Sequence, residues 1–128
     1  MNVVAGVLER DGRVLICQRK RGGQHPLRWE FPGGKEEDGE EPQEALAREL
    51  REELGIDARI GEEIGRYDVR YGNSPAIRLV FYRVTDFTGE PENLDFETIV
   101  WEKREDLLKY NFLEGDADFV KRLASGKA

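Results

Sequence analysis

Residues 34–56 read GKEEDGEEPQEALARELREELGI, a glycine turn feeding an amphipathic segment. Pro42 suits a first helical turn, Glu40 and Glu41 suit its positive end, and Gly55 fits just past the last turn; together they predict a helix over 42–54. Leu46, Leu50 and Leu54, with Ala47, make a stripe for burial. Glu49, Glu52 and Glu53 stand at i, i+3 and i+4 and share a second face, roughly 120° from that stripe. One face then grips a core while the other borders a cleft. Carboxylates this close repel one another, so a divalent cation is expected among them. Ala45 is one turn before Glu49 and is expected on the acidic side, where a small side chain leaves room for metal and ligand.

On the N-terminal side, residues 3–8 and 13–18 are β-rich runs separated by Glu9-Arg10-Asp11-Gly12, and Asp-Gly between such runs signals a tight hairpin. Residues 19–28, RKRGGQHPLR, form a basic loop, followed by Trp29-Glu30-Phe31-Pro32-Gly33-Gly34, a short extended piece entering the glycine turn. On the C-terminal side, residues 57–71 and 76–84 read as two strands broken by Gly72-Asn73-Ser74-Pro75. A short strand is expected at 98–101 and a short helix at 104–109. A last helix at 116–124 would be buried through Phe119, Val120 and Leu123. Strands interrupted by one internal and one terminal helix point to an α/β layered sandwich.

The chain is 128 residues long, with no internal repeat, linker or low-complexity tract, so one domain over 1–128 is expected. No apolar run approaches the ~20 residues that cross a bilayer. The start, MNVVAGVLER, lacks the regions of a signal peptide. The single cysteine, Cys17, cannot form an internal disulfide and reads as a small buried hydrophobe. These features favour the cytoplasm. The net charge of −7 argues against polymeric nucleic acid or a membrane surface as partner, yet allows a small phosphorylated ligand bridged by metal.

The spacing Gly34, five residues, Glu40, seven residues, then Arg48-Glu49-Leu50-Arg51-Glu52-Glu53-Leu54-Gly55-Ile56 matches the signature of the Nudix hydrolases, G-x5-E-x7-R-E-U-x-E-E-x-G-U with U a bulky aliphatic. Every fixed position is satisfied, and Trp29–Lys35 resembles the MutT branch. The resemblance implies an α/β/α sandwich with a mixed sheet. It also implies Mg²⁺- or Mn²⁺-dependent hydrolysis of a nucleoside diphosphate linked to another group; in the MutT branch a nucleoside triphosphate becomes monophosphate and pyrophosphate.

Glu52 and Glu53 are the leading metal ligands, with Glu49 either ligating or deprotonating the attacking water. The resemblance adds the Gly33 carbonyl as a ligand, Arg48 as the group orienting a catalytic glutamate, and Glu40 as fixing the loop on the helix. It further suggests Asp95, six residues before Trp101, as a general base from a distant loop, with Glu97 close by. Arg19, best matched to a phosphate-contacting arginine, and Lys35 would compensate triphosphate charge. Asp116 matches the base-reading residue at the start of the last helix. An ionised aspartate accepts but cannot donate, and the oxidised-guanine-specific MutT proteins have asparagine there. Phe31, Tyr71 and Phe81 could stack on a base, although aromatics in such a chain are more often core; His25 reads as a loop residue.

The function expected is a Mg²⁺-dependent pyrophosphohydrolase of nucleoside triphosphates such as 8-oxo-dGTP, CTP or dCTP, acting as a monomer or homodimer. Alternatives keep the chemistry on ADP-ribose, diadenosine polyphosphate or dihydroneopterin triphosphate. A non-catalytic nucleotide-binding regulator is disfavoured, because all the signature glutamates are kept, and so is an acidic scaffold.

Overall fold

Alternation at period two in the apolar runs builds two layers of core on one sheet. The computed structural model describes Met1–Ala128. Its strands run β1 (Asn2–Arg10), β2 (Arg13–Gln18), β3 (Trp29–Glu30) and β4 (Gly33–Lys35), followed by helix α1 (Pro42–Leu54). The chain continues through β5 (Asp57–Arg59), β6 (Glu63–Val69), β7 (Ile77–Val84), β8 (Asp86–Thr88) and β9 (Thr98–Lys103) to helix α2 (Ala117–Ala124). Val4 and Leu8 of β1, Leu15 and Cys17 of β2, and Val80, Tyr82 and Val84 of β7 pack on the face covered by Leu46, Leu50 and Leu54 of α1. The residues between them, Ala5, Val7, Val14, Ile16, Leu79 and Phe81, pack on the opposite face with Phe119, Val120 and Leu123 of α2. This is the expected α/β/α sandwich.

The sheet is mixed. β1 pairs parallel with β7, from Asn2↔Arg78 to Leu8↔Val84. β7 pairs antiparallel with β6. On its other side β1 pairs with β4 through Val3–Ala5 and then turns at Asp11-Gly12 into β2. β2 in turn carries β3 and β9. The β4 pairing places the Gly33-Gly34 turn against the middle of the sheet, directly under α1.

Helix α1 has the predicted ends. Pro42 occupies its first turn, and Glu41 and Glu44 form a reciprocal cap, with the Glu41 N–H donating to Glu44 Oε1 at 2.9 Å. Gly55 is left-handed (φ 69°) and its N–H returns to the Arg51 carbonyl. The buried stripe is rotated from the expected one. Ala45, not Ala47, joins the leucines: it is fully buried in the core beneath α1 and leaves no room for a ligand. The rotation also carries Glu49 and Glu53, one and two turns beyond Ala45, toward the sheet, so the acidic face is divided instead of lying wholly at solvent.

Two other segments differ from expectation. The run 57–71 is two strands, because the Gly61 N–H pairs with the Arg83 carbonyl between them; β5 leaves the main sheet to pair with β8, which the sequence did not disclose. Arg104–Lys109 is the expected short helix, of the 3₁₀ kind. A further 3₁₀ turn over Glu114–Asp116 precedes α2. No helix is long and apolar enough to cross a membrane.

Candidate active site

The site begins at two glycines in tight quarters, the first against backbone and the second against the end of the Glu49 side chain. A Cβ on Gly33 would lie 2.0 Å from the Val4 carbonyl oxygen, and one on Gly34 would lie 2.6 Å from Glu49 Cδ. Without side chains, the turn is sandwiched between β1 and the carboxylate edge of α1. The Gly33 N–H donates to Glu53 Oε1 at 3.0 Å. Glu49 and Glu53 therefore flank the glycine pair, one carboxyl against each residue.

The three helix glutamates have different surroundings. Glu53 is 9% exposed. The Glu49 side chain is 16% exposed and the Glu52 side chain 59%. Burial pushes Glu53 well above the usual carboxylate range; the charges of Glu49, Glu30 and Asp95 push the same way and the Gly33 N–H opposes them. Burial also raises Glu49, while Arg48 opposes the rise. These acids are buried at an electrostatic cost that a bound cation would relieve.

Arg48 is the cation present in the chain. It donates to Glu40 at 2.8 and 3.0 Å, to Glu49 at 3.0 Å, to Glu52 at 3.3 Å and to the Lys35 carbonyl at 3.1 Å. Glu37 lies within 3.3 Å as well. The Glu37 N–H donates to Glu40 at 2.9 Å, so Glu40 closes the loop before the helix. The i−4 partner Glu44 is absent from this network because it caps α1. Arg48 thus clamps the glycine turn, the acidic loop and the helix together.

A cleft of about 450 Å³ opens from this corner, within the range of small-molecule sites. Gly33, Gly34, Lys35 and Glu53 line it, and Asp95 enters from the loop before β9. Asp116, Phe31, Tyr71, His25, Arg19 and Glu30 line it as well. Seven of the residues singled out from the sequence as functional (Arg19, Phe31, Gly33, Lys35, Glu53, Asp95 and Asp116) therefore share one cavity. Glu49 lies behind Gly34, Glu52 faces outward, and Glu97 is exposed outside the cleft.

Several assignments change in detail. Arg19 lines the cleft but spends donors internally, from Nε to the Gln24 carbonyl at 2.9 Å and from one amino nitrogen to Glu30 at 3.0 Å. Phe31 shows only an edge to the cleft, being packed among Phe81, Phe112 and Phe119. Phe81 is removed from consideration as a stacking residue: it is fully buried and stacked on Phe119 at 3.9 Å. Burial, reinforced by Glu30 and opposed by Arg19, pushes Asp116 up to about 8, which favours the protonated form that can donate as well as accept.

Glu30 was not anticipated. Burial raises it and Arg19 opposes the rise. A charged residue alternating between Trp29 and Phe31 in an extended piece was the signal available for it. His25, read as a plain loop residue, also lines the cleft, with its ring 4.9 Å from that of Tyr71.

The donor set suits a hard divalent cation. Mg²⁺ takes one or two carboxylates and fills its remaining positions with water and ligand oxygens. Glu49 and Glu53 supply the carboxylates at a glycine turn whose backbone can approach closely, and Glu52 is adjacent. The chain closes no cage of three or more ligands by its own side chains.

A profile of the NUDIX domain matches residues 1–123. The chain belongs to the Nudix family. Among its relatives is the CTP pyrophosphohydrolase of Escherichia coli K12, 36% identical over 128 residues, covering all of this chain and 94% of that protein. The 8-oxo-dGTP diphosphatase of Haemophilus influenzae is 34% identical over 124 residues, covering 96% and 90% of the two chains. Of the solved Nudix neighbours, the solution structure of the Escherichia coli ORF135 protein superposes with a TM-score of 0.87 at 36% identity, over 99% of this chain and 90% of that one.

Proposed function

We propose that the protein is a Mg²⁺- or Mn²⁺-dependent pyrophosphohydrolase that cleaves nucleoside triphosphates to monophosphate and pyrophosphate in the cytoplasmic nucleotide pool. The observation that carries this reading is the convergence of Glu49 and Glu53 on Gly33-Gly34 at a cleft that Asp116 also lines. The work is divided: phosphates at the acidic corner, base at Asp116.

Glu49, Glu52, Glu53 and the Gly33 carbonyl would hold the cation, which when bound polarises phosphate oxygens and makes water a better nucleophile. Arg48 restrains Glu49 and keeps Glu52 on the same side of α1. Lys35 and the unbonded amino nitrogen of Arg19 compensate the triphosphate charge. Water attacks in line at a phosphorus, one P–O bond forms as another breaks, and pyrophosphate leaves. The proton of the attacking water goes to Asp95 in the cleft or to Glu49 behind the glycine turn. Phe31 supplies apolar surface beside the base. The neutral Asp116 carboxyl presents an adjacent donor and acceptor, matching N3 and N4–H of cytosine or O6 and N1–H of guanine. CTP, dCTP and 8-oxo-dGTP are therefore the substrates to test first.

The test is product analysis on a panel of CTP, dCTP, GTP, 8-oxo-dGTP and ADP-ribose, with Mg²⁺ or with a chelator, for the natural protein and for Glu53→Gln. Equal amounts of monophosphate and pyrophosphate from a triphosphate, lost on chelation and in Glu53→Gln, are expected. Hydrolysis indifferent to both would overturn the reading.

A further inference from the structure

Asp116 occupies the residue position before α2 where aspartate ordinarily caps a helix, accepting an N–H of the first turn. It makes no such bond. Its side chain is buried, lines the cleft and hydrogen-bonds to no other group of the chain. The 3₁₀ turn carrying it has no side-chain cap either. The N–H of Gly115, inside that turn, therefore needs a partner from outside it.

Tyr71, in the loop between β6 and β7, supplies one. Its hydroxyl oxygen accepts the Gly115 N–H at 3.0 Å. The approach is so close that a Cβ on Gly115 would lie 2.4 Å from that oxygen and 3.3 Å from Val69 Cγ2. The glycine before Asp116 is therefore dictated by Tyr71. The ring is held from the other side by His25. That contact is made by a loop in which His25 and Leu27 both have positive φ (49° and 61°), a conformation disfavoured for such residues. The loop is pinned at its neck by the Arg19 N–H to the Arg28 carbonyl at 2.8 Å and the Leu27 N–H to the Arg19 carbonyl at 3.1 Å.

We propose that Tyr71 is a positioning residue for base discrimination: by accepting the Gly115 N–H it holds the 3₁₀ turn Glu114–Asp116 in place, and so fixes the turn from which the Asp116 carboxyl faces the base. The inference rests on the reading of Asp116 as the base-facing group. It assigns the 70–76 loop a part in choosing the base without contact between Tyr71 and the reacting phosphate.

The experiment is a double-mutant cycle in the full chain with Tyr71→Phe, Asp116→Ala and the pair, measuring kcat and KM for CTP and for GTP in saturating Mg²⁺. Tyr71→Phe keeps the ring on His25 and removes only the acceptor. It should raise KM for the preferred nucleotide about three- to tenfold, reduce the ratio of kcat/KM between the two bases by a similar factor, and change kcat much less. In the pair, Tyr71→Phe should add no further loss to that of Asp116→Ala, since the tyrosine acts through the aspartate. Gly115→Ala, which drives the turn off the hydroxyl, should reproduce the Tyr71→Phe ratio. If Tyr71→Phe leaves the ratio unchanged while Asp116→Ala alters it, the positioning role is wrong and the Asp116 reading stands. If Asp116→Ala also leaves it unchanged, the base-facing reading itself fails and takes the inference with it. Equal, additive losses in both backgrounds would mark Tyr71 as merely structural.

Discussion

Glu53 is the residue at which stability and the proposed chemistry oppose each other. Its carboxyl is buried beside other acids with one N–H for support. Glu53→Gln keeps the shape and the Gly33 hydrogen bond but removes the ionisable group. In metal-free protein the exchange should raise Tm by about 3–5 °C, the equivalent of ~1 kcal/mol, read by thermal melting. The same change should lower kcat at least about 100-fold in saturating Mg²⁺, read by pyrophosphate release. Asp116 makes a second prediction. Its folded value of about 8 lies above its ordinary 3.8, so the proton it holds favours folding fully below that ordinary value, and the benefit is lost as pH rises through 8. The charged and titratable groups facing it are Glu30 of β3, Arg19 after β2, His25 of the basic loop, Tyr71 after β6 and Glu114 on its own turn. The KM for a nucleotide, followed from about pH 6 to about pH 9.5, should rise above pH 8 as Asp116 loses its donor, and Asp116→Asn should flatten that rise. A flat profile in the natural protein would show that the proton plays no part in binding.

Helix α1 and the glycine turn work as one unit, because Arg48 ties them and Gly34 lets them touch. Gly34→Ala would force a methyl within 2.6 Å of Glu49 Cδ, so the Glu49 carboxyl must move aside. Hydrolysis should fall roughly 10–100-fold while circular dichroism stays native, since the displaced group belongs to the site more than to the core. Arg48→Lys keeps the charge but cannot reach Glu40, Glu49 and the Lys35 carbonyl together; a similar loss is expected, only partly recovered by raising Mg²⁺. Leu50→Ala touches the core instead and should cost about 2–5 kcal/mol of stability in denaturant melts. The ends of this helix were legible in the sequence because caps are local: Pro42, the Glu41–Glu44 pair and Gly55 act within a turn of themselves. The rotation that buries Ala45 was not legible. It depends on how α1 leans against β1 and β4, and a residue as small as alanine fits a core or a cleft wall equally well. The break between β5 and β6 was hidden for a related reason, since the Gly61 N–H finds its partner at Arg83, across the sheet.

The whole molecule holds two cores on opposite faces of one sheet, with the cleft crossing from the α1 side toward the start of α2. Both layers have to be in place before Glu53 and Asp116 line the same cavity. Divalent metal should therefore act on the whole fold. Mg²⁺ at about 100 times its Kd should stabilise the protein by ~2.7 kcal/mol, visible as a higher Tm that a chelator reverses. In Glu53→Gln most of that gain should disappear. A Tm unmoved by Mg²⁺ in the natural protein would remove the support for a metal site at the glycine turn.

From the order of residues alone came the alternating strands, the capped helix and the run of carboxylates at fixed intervals, since each depends on neighbours a few positions away and on the periods of strand and helix. The tertiary structure settled which of those carboxylates are dry, which cation answers them, and that burial raises the Asp116 carboxyl. Burial and long-range hydrogen bonds are set by residues distant along the chain, such as Tyr71 against Gly115 and Gly33 against Glu53. A charge that is cheap at a helix surface becomes costly, and so useful, once the sheet and both helices have closed the water out.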